Sequence, residues 1–281
     1  MVIGHYKATL IAHAPEAICD VINKYTDHQS YVYGYGYPKK GLASNTTLMH
    51  LHNRNVYNFK KRLIQYHSEP FRVDLNTNIT KLVIAQYHAT LPEYKDCLIV
   101  RNPIDLSLPV YLPKYNSEKI RIGFAPSVLV PTSIWADKGY TETLQVLEEI
   151  KYIFKDLIEI DIITGVPLAE CLYRKSLCNI FIDEVKTPSY HRSGLESLAM
   201  GQLTICSVSP EVEEVMLNSC GAKKLPFLNV YYPELKEALS KVIKLGLDHI
   251  LNEGFIARHW MEQYWNPEII ANEYIKIYEQ I

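Results

Sequence analysis

The chain has 281 residues, of which 48% are hydrophobic and 21% are charged, and its formal net charge is -2. This composition is typical of a globular protein with one large or two small domains. The near-neutral charge does not favour a nucleic-acid-binding protein, which usually carries a basic excess. No apolar run approaches the roughly 20 residues of a membrane helix. None of the six cysteines forms a C-x-x-C pair, so we expect reduced thiols and a cytoplasmic location.

Short apolar runs predict buried parallel strands. They are ATLIAH, TLMHLH, RLIQYH, KLVIAQ, CLIVRN, IRIGFA, IEIDIIT, CNIFID and LTICSV. Amphipathic stretches such as PEAICDVINKY and YTETLQVLEEIKYIF lie between many of them. Their expected buried faces consist of Ile18, Val21 and Ile22 in the first, and of Leu144, Leu147, Ile150 and Ile153 in the second. This alternation of strands and helices predicts an α/β architecture with parallel sheets.

A stretch between residues 102 and 119 interrupts this alternation with three prolines and no clear periodicity, which is typical of a linker. We therefore divide the chain into an N-terminal lobe, a linker, a second lobe and closing helices. Their predicted ranges are 1–105, 106–118, 119–255 and 256–281. Pro267 is expected to split the closing segment into two helices, which pack back across both lobes.

Ligands of doubly wound sheets bind at the carboxyl ends of the strands, so the turns after the strands of the second lobe are candidate sites. Ser127 follows IRIGFA, and Lys138-Gly139 begins the next helix, where backbone N–H groups and a lysine suit a phosphate. A surface lysine before a helix is the alternative. Gly165-Val166 follows IEIDIIT and would let the backbone approach a flat ligand, although turn chemistry explains this pair equally well.

The stretch SGLESLAMG, beginning at Ser193, opens the next predicted helix of this lobe. Gly194 would let a phosphate approach backbone N–H groups. The carboxylate of Glu196 could accept hydrogen bonds from two neighbouring hydroxyls, as on a ribose. The alternative is a capping box, in which Ser193 caps the helix and Glu196 turns back to the helix start.

The order of these turns resembles the nucleotide-sugar lobe of GT-B glycosyltransferases, in particular the large retaining family that includes bacterial glycan and lipopolysaccharide transferases. That family has roughly G-x-x-x-x-E-A-M-A-x-G-x-P-V-I where this chain has SGLESLAMGQLTICS, with Ser197 at the alanine and Leu203-Thr204 at the proline and valine. The resemblance covers residues 119–215 and extends more weakly to the first lobe and the tail. It implies two Rossmann-like lobes with parallel sheets facing across a cleft, and a short N-terminal lobe.

The resemblance also implies roles for individual residues. Lys138 would neutralise the diphosphate, Glu196 would hold the ribose, and His67 of the first lobe would face the donor sugar, which makes Lys138 and His67 the catalytic candidates. The implied nucleotide and diphosphate contacts are Ser127, Lys138, Gly139, Gly165, Val166, Ser193, Gly194, Leu195 and Glu196. The implied donor-sugar contacts are Asp183, Glu184 and His191.

Some histidines have other interpretations. A partly buried histidine that closes a strand is the alternative for His67. His50 and His52 alternate along a strand, and we place them on opposite faces of the sheet. We therefore expect no metal site.

The chain departs from the family pattern at two charged positions. The family usually carries an arginine a few residues before its lysine; this chain has none there, and Arg192 is the candidate replacement. The family often has a second glutamate separated by seven residues from the ribose-binding one, where this chain has Pro188. Asp183 or Glu184 is the candidate substitute for that glutamate.

The expected function is transfer of a sugar from a nucleotide-diphosphate donor, such as a UDP- or GDP-sugar, to an acceptor hydroxyl. The resemblance implies retention of configuration, no metal and no cofactor. A glycan is the default acceptor, and a modified DNA base is the alternative. A rival hypothesis is a catalytically idle GT-B-like binding or scaffold protein, which the missing arginine and glutamate favour.

Overall fold

The computed structural model describes residues 1–8, 11, 13–37, 43–56, 58–114, 118–126 and 138–281. These residues form two compact units. Unit 1 comprises residues 1–105, 214–221 and 265–281, and unit 2 comprises residues 106–213 and 222–264. Each unit contains one parallel sheet.

Unit 1 is built on a six-stranded sheet. Its strands are β1 (Val2–Lys7), β2 (Gln29–Gly34), β3 (Leu48–His52), β4 (Arg62–Tyr66), β5 (Thr80–Ile84) and β6 (Leu98–Val100). Their spatial order is β2-β1-β3-β4-β5-β6. Helix α1 (Ala14–Tyr25) packs against helix α8 (Pro267–Glu279), the final helix of the chain. The apolar face of α1 is buried through Ile18, Val21 and Ile22, as the sequence predicts.

Unit 2 is built on a five-stranded sheet. Its strands are β7 (Ile120–Phe124), β8 (Ile158–Ile162), β9 (Ile180–Glu184), β10 (Leu203–Cys206) and β11 (Leu228–Asn229). Their spatial order is β11-β10-β9-β7-β8. The helices are α2 (Tyr140–Phe154), α3 (Leu168–Lys175), α4 (Arg192–Ala199), α5 (Pro210–Cys220), α6 (Leu235–Leu245) and α7 (Leu247–Tyr264), with α5 belonging to unit 1 from Glu214 onward. The parallel sheets and the strand-helix alternation confirm the predicted α/β class.

The first strand lies earlier than the sequence predicts. The predicted ATLIAH strand is wrong, because β1 ends at Lys7 and His13 adopts a left-handed conformation before α1. Three residues of ATLIAH (9, 10 and 12) lie outside the described part of the chain. Strand β2 was not predicted. It is an edge strand in which Tyr33 is buried but Tyr31 and Val32 are only partly buried, and its polar residues interrupt any apolar run.

Helix α2 has the predicted extent, but its buried face is turned relative to the prediction. The residues that it buries are Thr143, Val146, Leu147, Ile150 and Phe154, at the three- and four-residue spacing of one helix face. The side chain of Ile153, predicted to be buried, is exposed. The chain breaks before Pro267 as predicted, and Asn266 caps α8 by accepting hydrogen bonds from the N–H groups of Glu268 and Ile269.

The placement of His50 and His52 on opposite faces is wrong. Side chains alternate along a strand with a period of two, so residues two apart lie on the same face. The two rings are in fact stacked, with their centroids 4.3 Å apart. His5 is paired with His50 across β1 and β3, and its ring lies 4.8 Å from that of His50. These three fully buried side chains, with His67 after β4, form what we call the histidine cluster of unit 1.

Close backbone contact also shapes unit 2. A Cβ atom on Gly254 of α7 would overlap the carbonyl oxygen of Gly201, just before β10, so only glycine fits there. All six cysteines lie within the described residues and are free thiols. No helix of the described chain combines the length and apolarity that a membrane span requires.

Candidate functional site

Lys138 and Gly139 lie at the start of α2, as predicted. Gly139 is the N-cap residue and has a φ of 64°, in the left-handed region that favours glycine. The side chain of Lys138 is 8% exposed, and its Nζ atom lies 3.2 Å from Oδ1 of Asp183. Lys138 is therefore not the surface lysine of the alternative interpretation, and it reaches the carboxyl end of β9.

Asp183 is the centre of a first charged group, the Asp183 cluster, which consists of Lys138, Asp183 and His191. The backbone N–H of His191 donates to Oδ2 of Asp183 at 2.7 Å, and the His191 ring lies at the edge of the same carboxylate. Burial alone would raise the pKa of Asp183, but the Lys138 ammonium and His191 hold it below its ordinary value. Asp183 is therefore a fully buried carboxylate that stays ionised beside a cation.

The side chain of Asp183 leaves no room for a side chain at position 194, which is Gly194 in this chain. A Cβ atom on Gly194 would lie 2.6 Å from Oδ2 of Asp183, which is closer than real Cβ contacts allow. The N–H of Gly194 donates to the carbonyl of His191 at 3.0 Å. The absence of a side chain at this position thus has a cause inside the protein, which the sequence analysis assigned to phosphate alone.

Glu184 differs from Asp183 although the two are neighbours. Its carboxylate accepts hydrogen bonds from the N–H of Lys186 and from the hydroxyl of Thr187. Burial raises the pKa of Glu184 to about 9, opposed by the Thr187 hydrogen bond and assisted by the nearby charge of Asp183. Glu184 is therefore protonated at neutral pH and acts as a neutral hydrogen-bonding group.

The capping-box alternative for Ser193 and Glu196 is wrong. Helix α4 begins at Arg192, its N-cap residue is His191, and within the described chain no side chain caps it. Glu196 is the fifth residue of α4, so it lies beyond the first turn in which the sequence analysis placed it. A capping box needs its acidic residue at the third helical position, which Gly194 occupies here.

Glu196 instead belongs to a second charged group, the Glu196 cluster, which consists of Lys175, Arg192 and Glu196. Nζ of Lys175 lies 2.8 Å from Oε2 of Glu196, and Nε of Arg192 lies 3.1 Å from Oε1. Lys175 also donates to the hydroxyl of Ser193 at 2.9 Å and lies over the ring of Phe181. Burial opposes ionisation of Glu196, but the two cations hold its pKa below its ordinary value.

The structure thus joins Lys138, Asp183, His191 and Gly194 in one group, and Ser193 and Glu196 in another. Among the other predicted residues of unit 2 that the structure describes, Gly165 and Val166 lie apart from these contacts. Leu195 is buried and its N–H bonds to the His191 carbonyl, while Gly165 is exposed and Val166 partly exposed on the loop after β8. Ser127 lies outside the described residues.

His67 follows β4 in unit 1, where the sequence predicts it. Its Nε2 atom lies 2.9 Å from Nδ1 of His52, and its backbone N–H donates to Oδ1 of Asn53. Burial among the surrounding atoms lowers the pKa of His67 to about 3, although part of its surface is exposed. His67 is therefore a neutral imidazole that belongs to the histidine cluster.

The burial of Lys175 is not predictable from the sequence. A lysine in the last turn of a helix usually lies in solvent and interacts with the helix dipole, so its type and position carry no sign of burial. The structure shows a fully buried ammonium between Ser193, Glu196 and Phe181. Only the tertiary contact between the end of α3 and α4 reveals its role.

Comparison with solved structures identifies the fold as GT-B. A glycosyltransferase from Rickettsia africae matches with a TM-score of 0.66 at 13% identity, over 99% of this chain and 98% of that one. Anabaena HepE, solved with UDP-glucose, matches with a TM-score of 0.64 at 10% identity over the whole of both chains. Sucrose-phosphate synthase from Thermosynechococcus elongatus gives 0.60 at 12% identity, over 99% and 98%. No protein-family model and no curated protein matches the chain.

The protein therefore has a two-unit α/β fold of the GT-B class. These structural neighbours are glycosyltransferases, and HepE was solved with UDP and with UDP-glucose. At such low identities the likeness establishes the fold of this chain, while its chemistry has to be argued from its own residues.

Proposed function

We propose that this protein transfers a sugar from a nucleotide-diphosphate donor to an acceptor hydroxyl. The observation that carries the proposal is the placement of Lys138. It is a nearly buried cation at the start of a helix and at the carboxyl end of β9, where doubly wound folds bind ligands. The GT-B fold of the whole chain supports the same class of reaction.

The proposed reaction requires a fixed positive charge beside the diphosphate of the donor. In the proposed reaction the bond from the anomeric carbon to the β-phosphate oxygen breaks, and the acceptor oxygen forms the new bond. The acceptor proton passes to the departing diphosphate. Charge grows on the diphosphate as it leaves, so a preorganised cation stabilises the transition state more than the ground state. Lys138, held by Asp183, supplies this cation, and the start of α2 supplies backbone N–H groups.

The remaining roles follow the family resemblance. His67 is the proposed donor-sugar contact of unit 1, and Glu196 is the proposed ribose contact. Asp183, Glu184 and His191 are the proposed sugar-side residues of unit 2. We further propose retention of configuration, no metal at the diphosphate, and a glycan hydroxyl as acceptor.

A second candidate function is a GT-B-like binding protein without catalysis. The observation that favours it is the Glu196 cluster, because both oxygens of the proposed ribose ligand already accept from Lys175 and Arg192. Arg192, the candidate for the missing family arginine, is engaged in that pairing. Donor turnover separates the two functions, since a binding protein would bind the nucleotide without consuming its sugar.

The first experiment is a thermal-shift screen with UDP, GDP and their sugars, followed by an assay for donor hydrolysis or transfer. A ligand at 100 times its dissociation constant should stabilise the fold by about 2.7 kcal/mol. If no nucleoside diphosphate or sugar donor raises the melting temperature, the proposal is rejected.

The second experiment tests Lys138. The double variant Lys138→Met/Asp183→Asn removes both charges together, so no buried ion is left without a partner. We expect it to fold but to lose the donor-induced stabilisation. Lys236→Met is the matched control, because Lys236 forms an exposed ion pair with Glu149 in the same unit. Unchanged donor binding in the double variant would remove Lys138 from the site.

A further inference from the structure

We propose that His5, His50 and His52 of unit 1 form a binding site for a divalent transition-metal ion such as Zn²⁺. All three side chains are fully buried, and one ring nitrogen of each lies within 4.8 Å of one from each of the others. None of the three ligands is assigned to sugar transfer, although His67, the proposed donor-sugar contact, is the outer partner of His52. Metal binding can therefore be tested without any assay of sugar transfer.

Strand register brings the three rings together. β1 and β3 are parallel neighbours in which His5 is aligned with His50, and His52 follows two residues later on the same face. Two strands therefore hold the three side chains on one face of the sheet. A site built on strands holds its ligands more precisely than one built on loops.

Outer hydrogen bonds leave a ring nitrogen of each strand-β3 histidine for a metal. Nδ1 of His50 lies 2.7 Å from the hydroxyl of Tyr278, and Nδ1 of His52 lies 2.9 Å from Nε2 of His67. In both rings Nε2 is then the nitrogen that faces a metal. Nε2 of His50 has no other partner among the described residues, whereas Nε2 of His52 lies 3.2 Å from Nδ1 of His5. Metal-binding histidines commonly use one nitrogen for the metal and the other for such an outer partner, which orients the ring.

Unpaired nitrogens in the cluster indicate a missing partner. Within the described residues, neither Nε2 of His5 nor Nε2 of His50 has a hydrogen-bond partner, although both atoms are buried. A buried polar atom without a partner costs about 1–3 kcal/mol, so native proteins rarely keep two together. A metal ion would satisfy Nε2 of His50, and His5 would bind the same ion through Nδ1, the nitrogen that faces His52.

The spacing is close to that of a metal site. Ligand nitrogens about 2.0–2.1 Å from a tetrahedral zinc ion lie roughly 3.3 Å from one another. Nδ1 of His5 and Nε2 of His52 are already 3.2 Å apart, and the ligand atoms of all three histidines lie within 4.8 Å of one another, so the His50 ring has only to move closer to complete the set. Three histidines and a fourth, exogenous ligand are an established zinc arrangement, and neutral imidazole is the form that binds.

The test uses the full-length protein without an affinity tag. Metal content is measured on the purified protein, and the protein is then unfolded with a chelator and refolded with Co²⁺ or Zn²⁺. We expect one metal ion per chain, a visible tetrahedral Co²⁺ absorption band and a higher melting temperature with Zn²⁺. Sub-stoichiometric metal in the purified protein together with no Co²⁺ band after refolding would overturn the site.

Two variants locate the ion. His50→Gln should abolish the Co²⁺ band, and Tyr278→Phe, which keeps the ring but removes the outer hydrogen bond, should weaken Zn²⁺ binding by about 10–100-fold. His88→Gln is the control, because His88 is a buried histidine of unit 1 outside the cluster. If His50→Gln does not fold, Tyr278→Phe still decides; wild-type affinity in either folded variant counts against the site.

Discussion

The two units bury polar groups near the carboxyl ends of their strands in different ways. Unit 1 buries histidines that are uncharged, because burial lowers the pKa of His5 and of His67 to about 3. The Asp183 and Glu196 clusters of unit 2 contain full charges, and each of these two carboxylates is held ionised by a cation: Asp183 by Lys138, and Glu196 by Lys175 and Arg192. Charge pairs lose far more than neutral hydrogen bonds when one partner is removed, so the units should respond differently to single substitutions.

The largest expected effect is that of Glu196→Ala in unit 2. It leaves Lys175 buried without a counter-charge, and we expect the free energy of unfolding to fall by about 3–5 kcal/mol. Urea denaturation of the variant measures this loss. Adding Lys175→Met should recover most of it, whereas Lys236→Ala, which breaks an exposed pair, should cost less than about 1 kcal/mol. A small loss in the single variant would show that solvent reaches Lys175.

The corresponding change in unit 1 is His52→Leu, made in metal-free protein. Ring nitrogens of His5 and His67 lose their partner, but no charge is left behind. We expect a loss of about 1–3 kcal/mol by the same urea measurement. A loss of stability as large as that of Glu196→Ala would contradict the neutral state of the histidine cluster. The two units would then not differ in how they bury polar groups.

Gly194→Ala tests the contact between α4 and Asp183. The added Cβ atom meets Oδ2 of Asp183, and overpacking of this kind costs about 1–3 kcal/mol. Gly165→Ala is the comparison, because within the described residues no atom lies within 4 Å of its Cβ position, so only the left-handed backbone is strained. In an Asp183→Gly background, which has its own cost because Lys138 loses its partner, Gly194→Ala should add no further loss. If it adds the same loss as in the wild type, the contact with Asp183 is not the cause.

The smallest expected effect on the free energy of unfolding, counted for each pH unit, is that of Glu184. Unfolded, this carboxyl loses its proton near its ordinary pKa of 4.5, whereas in the folded protein it keeps the proton to about pH 9. The unfolded state binds fewer protons between these values, so stability falls as the pH rises, by up to about 1.4 kcal/mol for each unit. Glu184→Gln should flatten this dependence between pH 5 and about 8 in urea titrations. An unchanged slope would show that Glu184 is ionised.

Much of the fold was predictable because it depends on local pattern. Parallel α/β architecture, the helices Ala14–Tyr25 and Tyr140–Phe154, and the break before Pro267 follow from periodicity and from proline chemistry. The edge strand Gln29–Gly34 was not predicted, because a strand with polar and partly exposed residues forms no apolar run. Long-range packing, rather than local propensity, sets which strands bury both faces.

The sequence predicted where the candidate residues lie in the fold, and not how their side chains pair. Lys138, Asp183 and Gly194 were identified because they lie at predicted strand ends and helix starts, which is the edge of a parallel sheet where ligands bind. The pairing of Glu196 with Lys175 joins residues 21 apart in sequence, on two different helices. Nothing in the local sequence around either residue specifies such a partner.

The pair of Lys175 and Glu196 has a consequence for how the sequence can drift over evolutionary time. Replacing either residue alone passes through an unstable intermediate, so the two positions are expected to change together or not at all. Selection for a folded chain alone would keep them. The glutamate of SGLESLAMG would therefore persist in relatives whether or not they act on a sugar donor, and its retention among them records folding as much as function.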